Sequence, residues 1–353
     1  MRRFPAAALQ ALLAAALFGL SAPLAKLLLA GAPPQLLAGL LYLGSGVGLG
    51  AFWLVRRRAG GGQQAAERPL ARADAPWLAG AICFGGVLGP LLLLVGLLRT
   101  PASTTALLLN LEGVFTALLA WTVFREHTER RIVAGMGLIV AGGLLLSWEG
   151  RAGWQGAAGP LAIAAGCLCW AIDNNLTQRV SGGDPVQVAS LKGVVAGAVN
   201  LGIALALGAS LPAAPALAGA LGLGFVSYGV SLVLFILALR ALGTARTGAY
   251  FSTAPFIGAG AALLLLHEPA TVPLLAGGAL MAAGVALHLT ERHEHAHTHE
   301  ATTHAHRHVH DEHHRHVHPP GTPPGEPHGH EHEHIPLRHS HPHYPDLHHR
   351  HGH

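Results

Sequence analysis

Long apolar stretches, separated by short polar segments, fill the first 290 residues of the chain. Each is roughly 17–24 residues long, enough for a helix to cross a hydrocarbon core about 30 Å thick. The stretches lack the polar stripe that a soluble helical protein shows on most of its helices. The pattern therefore predicts an all-α polytopic membrane protein with ten transmembrane helices, near residues 6–29, 34–55, 77–98, 102–124, 132–148, 159–180, 186–208, 217–239, 247–266 and 272–289.

Composition supports a membrane protein. Of the 353 residues, 51% are hydrophobic and 11% are charged, whereas soluble domains carry about 25% charged residues. The first stretch follows Arg2 and Arg3, but it is too long for a signal-peptide core and no convincing cleavage site follows it. The three cysteines all fall inside predicted helices, so a disulfide framework is not expected.

Arginines lie mostly on one side of the predicted membrane. If the N-terminus is cytoplasmic, only Arg99 and Arg151 of the membrane part lie outside. Because cytoplasmic segments carry an excess of lysine and arginine, we expect a multi-pass protein of a bacterial inner membrane. With ten helices, both termini would lie in the cytoplasm.

A duplication relates the two halves of the apolar region. Matched residues lie 142 positions apart: Glu126 and Glu268, Ala134 and Ala276, Gly135 and Gly277, Gly142 and Gly284. Five helices in each half would insert the second half upside down relative to the first. Such inverted repeats are typical of secondary transporters, whose substrate site lies near the membrane midplane where the halves meet.

Several local motifs occupy corresponding places in the two halves. They are Phe18-Gly19, Pro23 and Lys26 in the first helix, Trp170-Ala171 in the sixth, Phe124-Arg125-Glu126 after the fourth, and Pro255 with His267-Glu268-Pro269 in the ninth. Together with the repeats, and over roughly residues 6–290, they resemble the EamA-like branch of the drug/metabolite transporter superfamily. One departure is Gly113, which stands where members commonly carry a counterpart of Pro255.

The resemblance implies an architecture and a class of function. One five-helix repeat would occupy residues 1–148 and the other residues 159–290, joined by a linker at 149–158. Members mostly move small organic solutes such as amino acids, nucleosides or drugs. The expected partners are therefore the lipid bilayer and a small-molecule substrate, with a homodimer allowed by the fold and no nucleic acid. No cofactor is required for transport of this kind.

Catalysis is not expected from the motifs of the chain. The sequence contains no glycine-rich phosphate loop, no His-Glu-x-x-His motif and no Gly-x-Ser-x-Gly motif. We therefore expect neither an enzyme nor an ATP-driven pump.

Ionisable and polar residues inside the predicted helices are the candidates for substrate binding. A charge at the centre of a membrane helix costs about 2.5–3.5 kcal/mol on insertion scales, so such residues are functional candidates by default. The six candidates are Lys26, Glu112, Asp173, Lys192, Tyr228 and Tyr250. The alternatives are snorkelling for Lys26 near its helix end and structural pairing for Glu112.

Glu112 is central to the expected mechanism. Thr105 and Thr116 share its helical face, which predicts a polar stripe pointed at a cavity. The hypothesis is that Glu112 takes up a proton on one side and exchanges it for substrate, or for a lysine partner, on the other. Lys26 or Lys192 would supply a cationic anchor for an anionic or zwitterionic solute.

Residues 291–353 form a histidine-rich tail. It holds 23 of the 26 histidines and almost no large apolar residues, so we expect it to be disordered without a ligand. Imidazole is a good ligand for Zn, Ni, Co and Cu ions. The histidines expected to bind metal are His293, His295, His297, His299, His304, His306, His308, His310, His339, His341, His343, His348, His349 and His351. A solubilising tail, a polycation at low pH and a lipid contact are the alternatives.

Three functions stay open at this point. The first is an exporter of a small organic solute whose tail binds divalent metals. The second is a transition-metal transporter whose tail captures or gates the ion, and the third is a membrane-tethered metal store or sensor. The second needs soft or imidazole ligands inside the helices, but Cys167 and Cys169 face different directions and His127, His267 and His288 lie at helix ends. That favours the first.

Overall fold

The computed structural model describes residues 6–58, 74–123, 130–147, 154–180, 185–289, 294–298, 302–308, 328–334 and 338–342. Before residue 290 its regular elements are helices. They are α1 (Ala6–Gly19), α2 (Ser21–Leu28), α3 (Pro34–Arg58), α4 (Ala75–Ala81), α5 (Gly89–Arg99), α6 (Ala102–Leu108), α7 (Leu111–Thr122), α8 (Arg130–Ser147), α9 (Trp154–Val180), α10 (Pro185–Ala206), α11 (Ala214–Leu223), α12 (Ser231–Phe251), α13 (Ala254–Leu265) and α14 (Val272–Leu289). Two π-helical segments, Ile82–Leu88 and Gly224–Val230, continue α4 into α5 and α11 into α12.

The helices have the dimensions of membrane spans. Within the described residues, eight helical stretches are long and apolar enough to cross a membrane, judged by length and composition. Two shorter apolar helices, Ala254–Leu265 and Val272–Leu287, follow them. An all-α, polytopic membrane part is therefore confirmed. The count of ten spans stays a prediction, because the apolar parts of the last two helices are shorter than the eight full-length stretches.

Some helix boundaries differ from the predicted ones. The helix predicted to begin at residue 159 begins at Trp154, and α12 runs through residues 240–246, where a loop was expected. That segment contains no proline and is rich in helix-forming alanine, leucine and arginine, so nothing in it stops a helix. The break comes instead at Ser252–Thr253, directly before the α13 turn that contains Pro255, a residue favoured in a first helical turn.

The two π-helical segments interrupt corresponding helices of the two halves. Their first residues, Ile82 and Gly224, are 142 positions apart, and so are their last, Leu88 and Val230. π-Helical turns are uncommon and often lie at functional sites. The irregular backbone is therefore a repeated feature of the fold.

Matched glycines of the two halves pack against each other. On α8, a Cβ atom added to Gly142 would lie 2.7 Å from the carbonyl oxygen of Gly277 on α14. A Cβ on Gly284 would lie 2.6 Å from the carbonyl oxygen of Gly135. These backbones can approach so closely because both helices carry glycine at the contact. The residues that reveal the duplication thus form the interface between the last helices of the two halves.

The described part of the tail differs from the expected disorder. It forms four short strands, β1 (Glu294–Thr298), β2 (Thr302–His308), β3 (His328–His334) and β4 (Arg338–Pro342). β1 pairs with β4 and β2 pairs with β3, both antiparallel. The reason lies in the sequence, since histidine at every second position has the period of a strand even though the segment has no apolar core.

Candidate functional site

An ion pair between Asp173 and Lys192 lies at the centre of a polar cluster inside the helices. Asp173 is on α9 and Lys192 on α10, and their side chains are only 7% and 17% exposed. Thr177, one turn further along α9, donates a hydrogen bond to the same carboxylate at 2.9 Å. A Cβ atom on Gly85 would overlap the Asp173 carboxylate, so glycine is needed there for α9 to approach the first π-helical segment.

Glu112 lies beside this pair but has a different partner. Its carboxylate accepts a hydrogen bond of 2.8 Å from the Asn174 amide, the residue next to Asp173 on α9. Coulombic interaction with Asp173 and Lys192 places Glu112 in the same electrostatic neighbourhood. The lysine of the cluster is therefore paired with Asp173, and not with Glu112 as the sequence hypothesis allowed.

The two threonines expected to line a cavity with Glu112 have other roles. Thr105 donates to the carbonyl oxygen of Pro101 at 2.9 Å, and Thr116 donates to that of Glu112 at 2.8 Å. Each hydroxyl thus satisfies a carbonyl of its own helix, as is common for threonine in membrane helices.

The first π-helical segment presents carbonyl oxygens to side chains of its neighbours. Gly85 accepts hydrogen bonds from the Tyr42 hydroxyl at 2.6 Å and from the Trp170 indole at 3.0 Å. Gly86 accepts one of 2.8 Å from Asn200. The wider hydrogen-bond register of a π-helix changes which carbonyls its own chain satisfies. Helices α3, α9 and α10 are thereby tied to the irregular turn next to the ion pair.

Aromatic rings border the polar cluster. Tyr228, from the second π-helical segment, packs against Tyr42 and Phe18 with ring centroids 5.8 and 5.9 Å apart. Tyr42 also lies within Coulombic reach of Asp173 and Glu112. The predicted site residue Tyr228 is therefore linked to the charged group through Tyr42.

Tyr250 lies at the end of α12, next to Phe251. The ring that contacts Phe18 belongs to its neighbour Phe251, at 5.5 Å. The Tyr250 carbonyl accepts a hydrogen bond of 2.6 Å from Thr253 at the break between α12 and α13.

Lys26 is on α2, and its side chain reaches the C-terminal end of α5. Its ammonium group donates to the carbonyl oxygen of Thr100 at 2.8 Å and to that of Leu97. A cation at a helix C-terminus satisfies carbonyls that have no partner within the helix. This contact gives Lys26 a capping role, away from the Asp173–Lys192 pair.

Glu268 caps the helix that follows. Its carboxylate accepts hydrogen bonds from the backbone amides of Ala102 at 2.7 Å and Ser103 at 2.9 Å, and from the Ser103 hydroxyl at 2.6 Å. The preceding residue, His267, has a φ of 52°, the left-handed conformation that ends many helices. Lys26 and Glu268 thus hold the two sides of the turn between α5 and α6.

Half of the predicted metal-binding histidines lie in described strands. They are His295, His297, His304, His306, His308, His339 and His341. The others, His293, His299, His310, His343, His348, His349 and His351, lie outside the described residues. Within the part of the chain that the structure describes, no group of three or more His, Cys, Asp or Glu is arranged to hold a metal ion.

The sequence matches the EamA-like transporter family in both halves, over residues 5–148 and 157–290. The chain belongs to that family. It is also 30% identical over 283 residues to an uncharacterized transporter of Methanothermobacter thermautotrophicus, covering 76% of this chain and 81% of that protein. As a member of the EamA-like family, the chain is a multi-pass membrane transporter whose surroundings are the lipid bilayer and whose substrate is a small molecule.

Two further similarities extend the comparison. Over 86 residues the chain is 38% identical to a probable 4-amino-4-deoxy-L-arabinose-phosphoundecaprenol flippase subunit of Pseudomonas fluorescens, covering 24% of this chain and 73% of that protein. A crystal structure of another protein matches with a TM-score of 0.58 at 20% identity, covering 80% of this chain and 95% of that one. At this identity the structural match shows the fold alone.

Sequence reasoning missed Tyr42 and Gln35. Gln35 donates to Asn200 at 2.8 Å, which continues the polar network that ends on Gly86. A signal for Tyr42 was available, because it is one of only four tyrosines in the chain and lies inside an apolar stretch. A phenol buried in a membrane helix needs a hydrogen-bond partner, so it marks a polar neighbour.

Proposed function

We propose that this chain is a secondary transporter of the bacterial inner membrane, with both termini cytoplasmic, that exports a zwitterionic organic solute in exchange for protons. The observation that carries the proposal is the shielded Asp173–Lys192 ion pair, with Glu112 beside it. In a family of small-solute transporters, paired opposite charges inside the membrane mark the place where a charged solute can bind.

The ion pair favours a zwitterion over other solutes. Lys192 can exchange its carboxylate partner for that of the solute, and Asp173 can take the ammonium group in return. No charge is left unpaired inside the membrane, where an uncompensated ion is costly. A neutral solute offers no such exchange, and an anion leaves Asp173 uncompensated. The neighbouring Tyr42 and Tyr228 rings would contact an apolar or aromatic side group.

Glu112 would carry the coupling proton. It is the carboxyl of the cluster without a lysine partner, and its oxygen is held by the neutral amide of Asn174. A proton that enters from outside would neutralise Glu112, and release of that proton to the cytoplasm would complete the exchange.

Transport into inverted membrane vesicles tests this function. With an acidic interior, vesicles that contain the protein should accumulate labelled aromatic or aliphatic amino acids faster than vesicles without it. Glu112→Gln should abolish the dependence of the rate on the pH gradient. Unchanged rate and pH dependence in Glu112→Gln would refute the proton-coupling role.

The same vesicles distinguish the other candidate substrates. The panel should also contain nucleosides, a cationic drug, Zn²⁺, Ni²⁺ and Co²⁺, and a lipid-linked aminosugar, because of the similarity to a flippase subunit. Accumulation of a metal ion without accumulation of amino acids would replace the solute exporter by a metal transporter. If no solute on the panel moved in vesicles that contained folded protein, a membrane-tethered metal store or sensor would become the better function.

We propose in addition that the tail binds divalent transition metals in the cytoplasm. Its support is the concentration of 23 of the 26 histidines in residues 293–353, together with the preference of Zn²⁺, Ni²⁺, Co²⁺ and Cu²⁺ for imidazole. Purified full-length protein should bind Zn²⁺ in a calorimetric titration, and protein truncated after residue 292 should not. Equal binding by both proteins would contradict a metal role for the tail.

A further inference from the structure

The two strand pairs of the tail have the same pairing register. In β1–β4, Glu294 is opposite Pro342, and in β2–β3, Thr302 is opposite His334. In both pairs the numbers of opposed residues add to 636 throughout. In both pairs an earlier strand of the tail is therefore opposite a later one, in the same register.

Histidines occupy opposed register positions in both strand pairs. The opposed histidine pairs are His295 with His341, His297 with His339, His304 with His332, His306 with His330, and His308 with His328. Within each strand they stand at every second position, and residues two apart share a face of the ribbon. Directly opposed residues share a face as well. The backbone thus gives each strand pair one face that is composed mainly of histidine.

We propose that each strand pair is a separate binding site for a divalent transition-metal cation, formed between opposed histidines. Opposed positions have Cβ atoms about 4.5–5.5 Å apart, and neighbours on one strand are about 7 Å apart. Two adjacent opposed pairs therefore bring four histidines into the space around one ion, which Zn²⁺ binds at about 2.0–2.1 Å through nitrogen. β1–β4 has one such quartet and β2–β3 has two that share the His306–His330 pair.

The ion itself would assemble the site. No group of three or more ligands is already arranged around a metal position within the described residues. A two-stranded ribbon without an apolar face is at best marginally stable in water, and opposed histidines repel each other once they are protonated. Metal binding would supply the missing stability, because binding to a site that exists only in the folded form stabilises that form.

This inference rests on the proposal that the tail binds metal and is independent of the solute that the membrane part moves. It differs from simple chelation by a histidine-rich chain in one respect. A histidine on one strand should protect the opposed strand, whose paired residue is 20 or more positions away in sequence, and should leave the other strand pair unaffected.

Limited trypsin digestion of the full-length protein in detergent, followed by mass spectrometry, tests this point. Arg307 lies in β2 and Arg338 lies in β4, so each strand pair contains one trypsin site. Added Zn²⁺ should slow cleavage after Arg307 and Arg338 by about tenfold or more relative to EDTA. Cleavage of a histidine-free peptide substrate, measured in parallel, reports any direct effect of Zn²⁺ on trypsin.

Two sets of alanine substitutions, called blocks below, then test the register of the two strand pairs. Alanine at His295 and His297 of β1 should remove protection of Arg338 on β4 and leave Arg307 protected. Alanine at His328, His330 and His332 of β3 should do the reverse. Each block serves as the matched control for the other.

The outcomes separate this inference from the proposal on which it rests. Zn²⁺ binding without protection at either arginine, or protection that both blocks abolish equally at both sites, would overturn the paired sites while leaving the tail a metal chelator. Absence of Zn²⁺ binding to the full-length protein would overturn both.

Discussion

The two adjacent asparagines of α9 allow a matched test of the site at the residue scale. Asn174 donates to the Glu112 carboxylate, whereas Asn175 donates to the carbonyl of Ala171 on its own helix, both at 2.8 Å. A hydrogen bond to a charged group contributes about 1.5–3 kcal/mol, so Asn174→Ala should reduce the transport rate by about tenfold or more. Asn175→Ala should transport at nearly the wild-type rate. Equal loss in both variants would show that the asparagines act through the helix and not through Glu112.

The shielded ion pair gives a second prediction at this scale. Asp173→Asn leaves the Lys192 ammonium without its carboxylate, and breaking a buried pair by removing one partner costs about 3–5 kcal/mol. The melting temperature in detergent should fall accordingly. In the double variant Asp173→Asn/Lys192→Met most of that stability should return, because no unpaired charge remains. Transport should be absent in both the single and the double variant. A double variant as unstable as the single one would show that the pair is not the source of the effect.

At the scale of elements, α8 carries its own control for the glycine interface. Gly142 faces the backbone of Gly277, whereas a Cβ atom on Gly137 would meet nothing within 4 Å. Gly142→Ala should therefore destabilise the protein by about 1–3 kcal/mol through overpacking. Gly137→Ala should be neutral or stabilising by up to about 1 kcal/mol, since alanine favours helix. Thermal unfolding in detergent measures both, and equal effects would argue against a close α8–α14 contact.

The start of α6 gives another prediction for an element. Glu268→Ala removes the acceptor of three hydrogen bonds, from Ala102 and Ser103, and should cost about 1–3 kcal/mol. Glu268→Gln keeps an acceptor oxygen and should lose less. His267→Gly should be neutral or stabilising, because glycine adopts the left-handed conformation without strain. If Glu268→Ala and the wild type unfolded at the same temperature, the cap would contribute nothing measurable.

For the whole molecule, the sequence predicted the features that depend on residue spacing and segment length, namely the helices and the duplication. The apolar stretches predicted the helices because a span needs a fixed length of apolar chain. The 142-residue offset identified the glycines of α8 and α14 as matched positions, but sequence does not show which glycine contacts which. The sequence did not predict the π-helical segments or the partner of Lys192. A change of hydrogen-bond register and a side-chain pairing both depend on tertiary contacts. The strands of the tail were missed because a low-apolar composition argued for disorder more strongly than the alternation argued for strands.

The proposed chemistry lies where the two halves differ. Glu112 corresponds to Ala254 at the 142-residue offset, and in the second half the equivalent helix begins at that alanine. The two π-helical segments differ as well, because the first offers the carbonyl oxygens of Gly85 and Gly86 and the second offers the ring of Tyr228. The duplication therefore gives the two halves similar folds. The residue differences between the halves create one charged site whose two sides carry different groups.

The membrane part and the tail should behave as separable units of the molecule. The backbone pairing of the strands is within the tail itself, while the helices bury their own small and apolar faces. A chain truncated after residue 292 should therefore unfold in EDTA within about 0.5 kcal/mol of the full-length protein, as for surface changes in general, and should transport the same solute at the same rate. Addition of Zn²⁺ should then change the full-length protein alone. A truncated protein that had lost solute transport in metal-free buffer would show instead that the tail is part of the transport machinery.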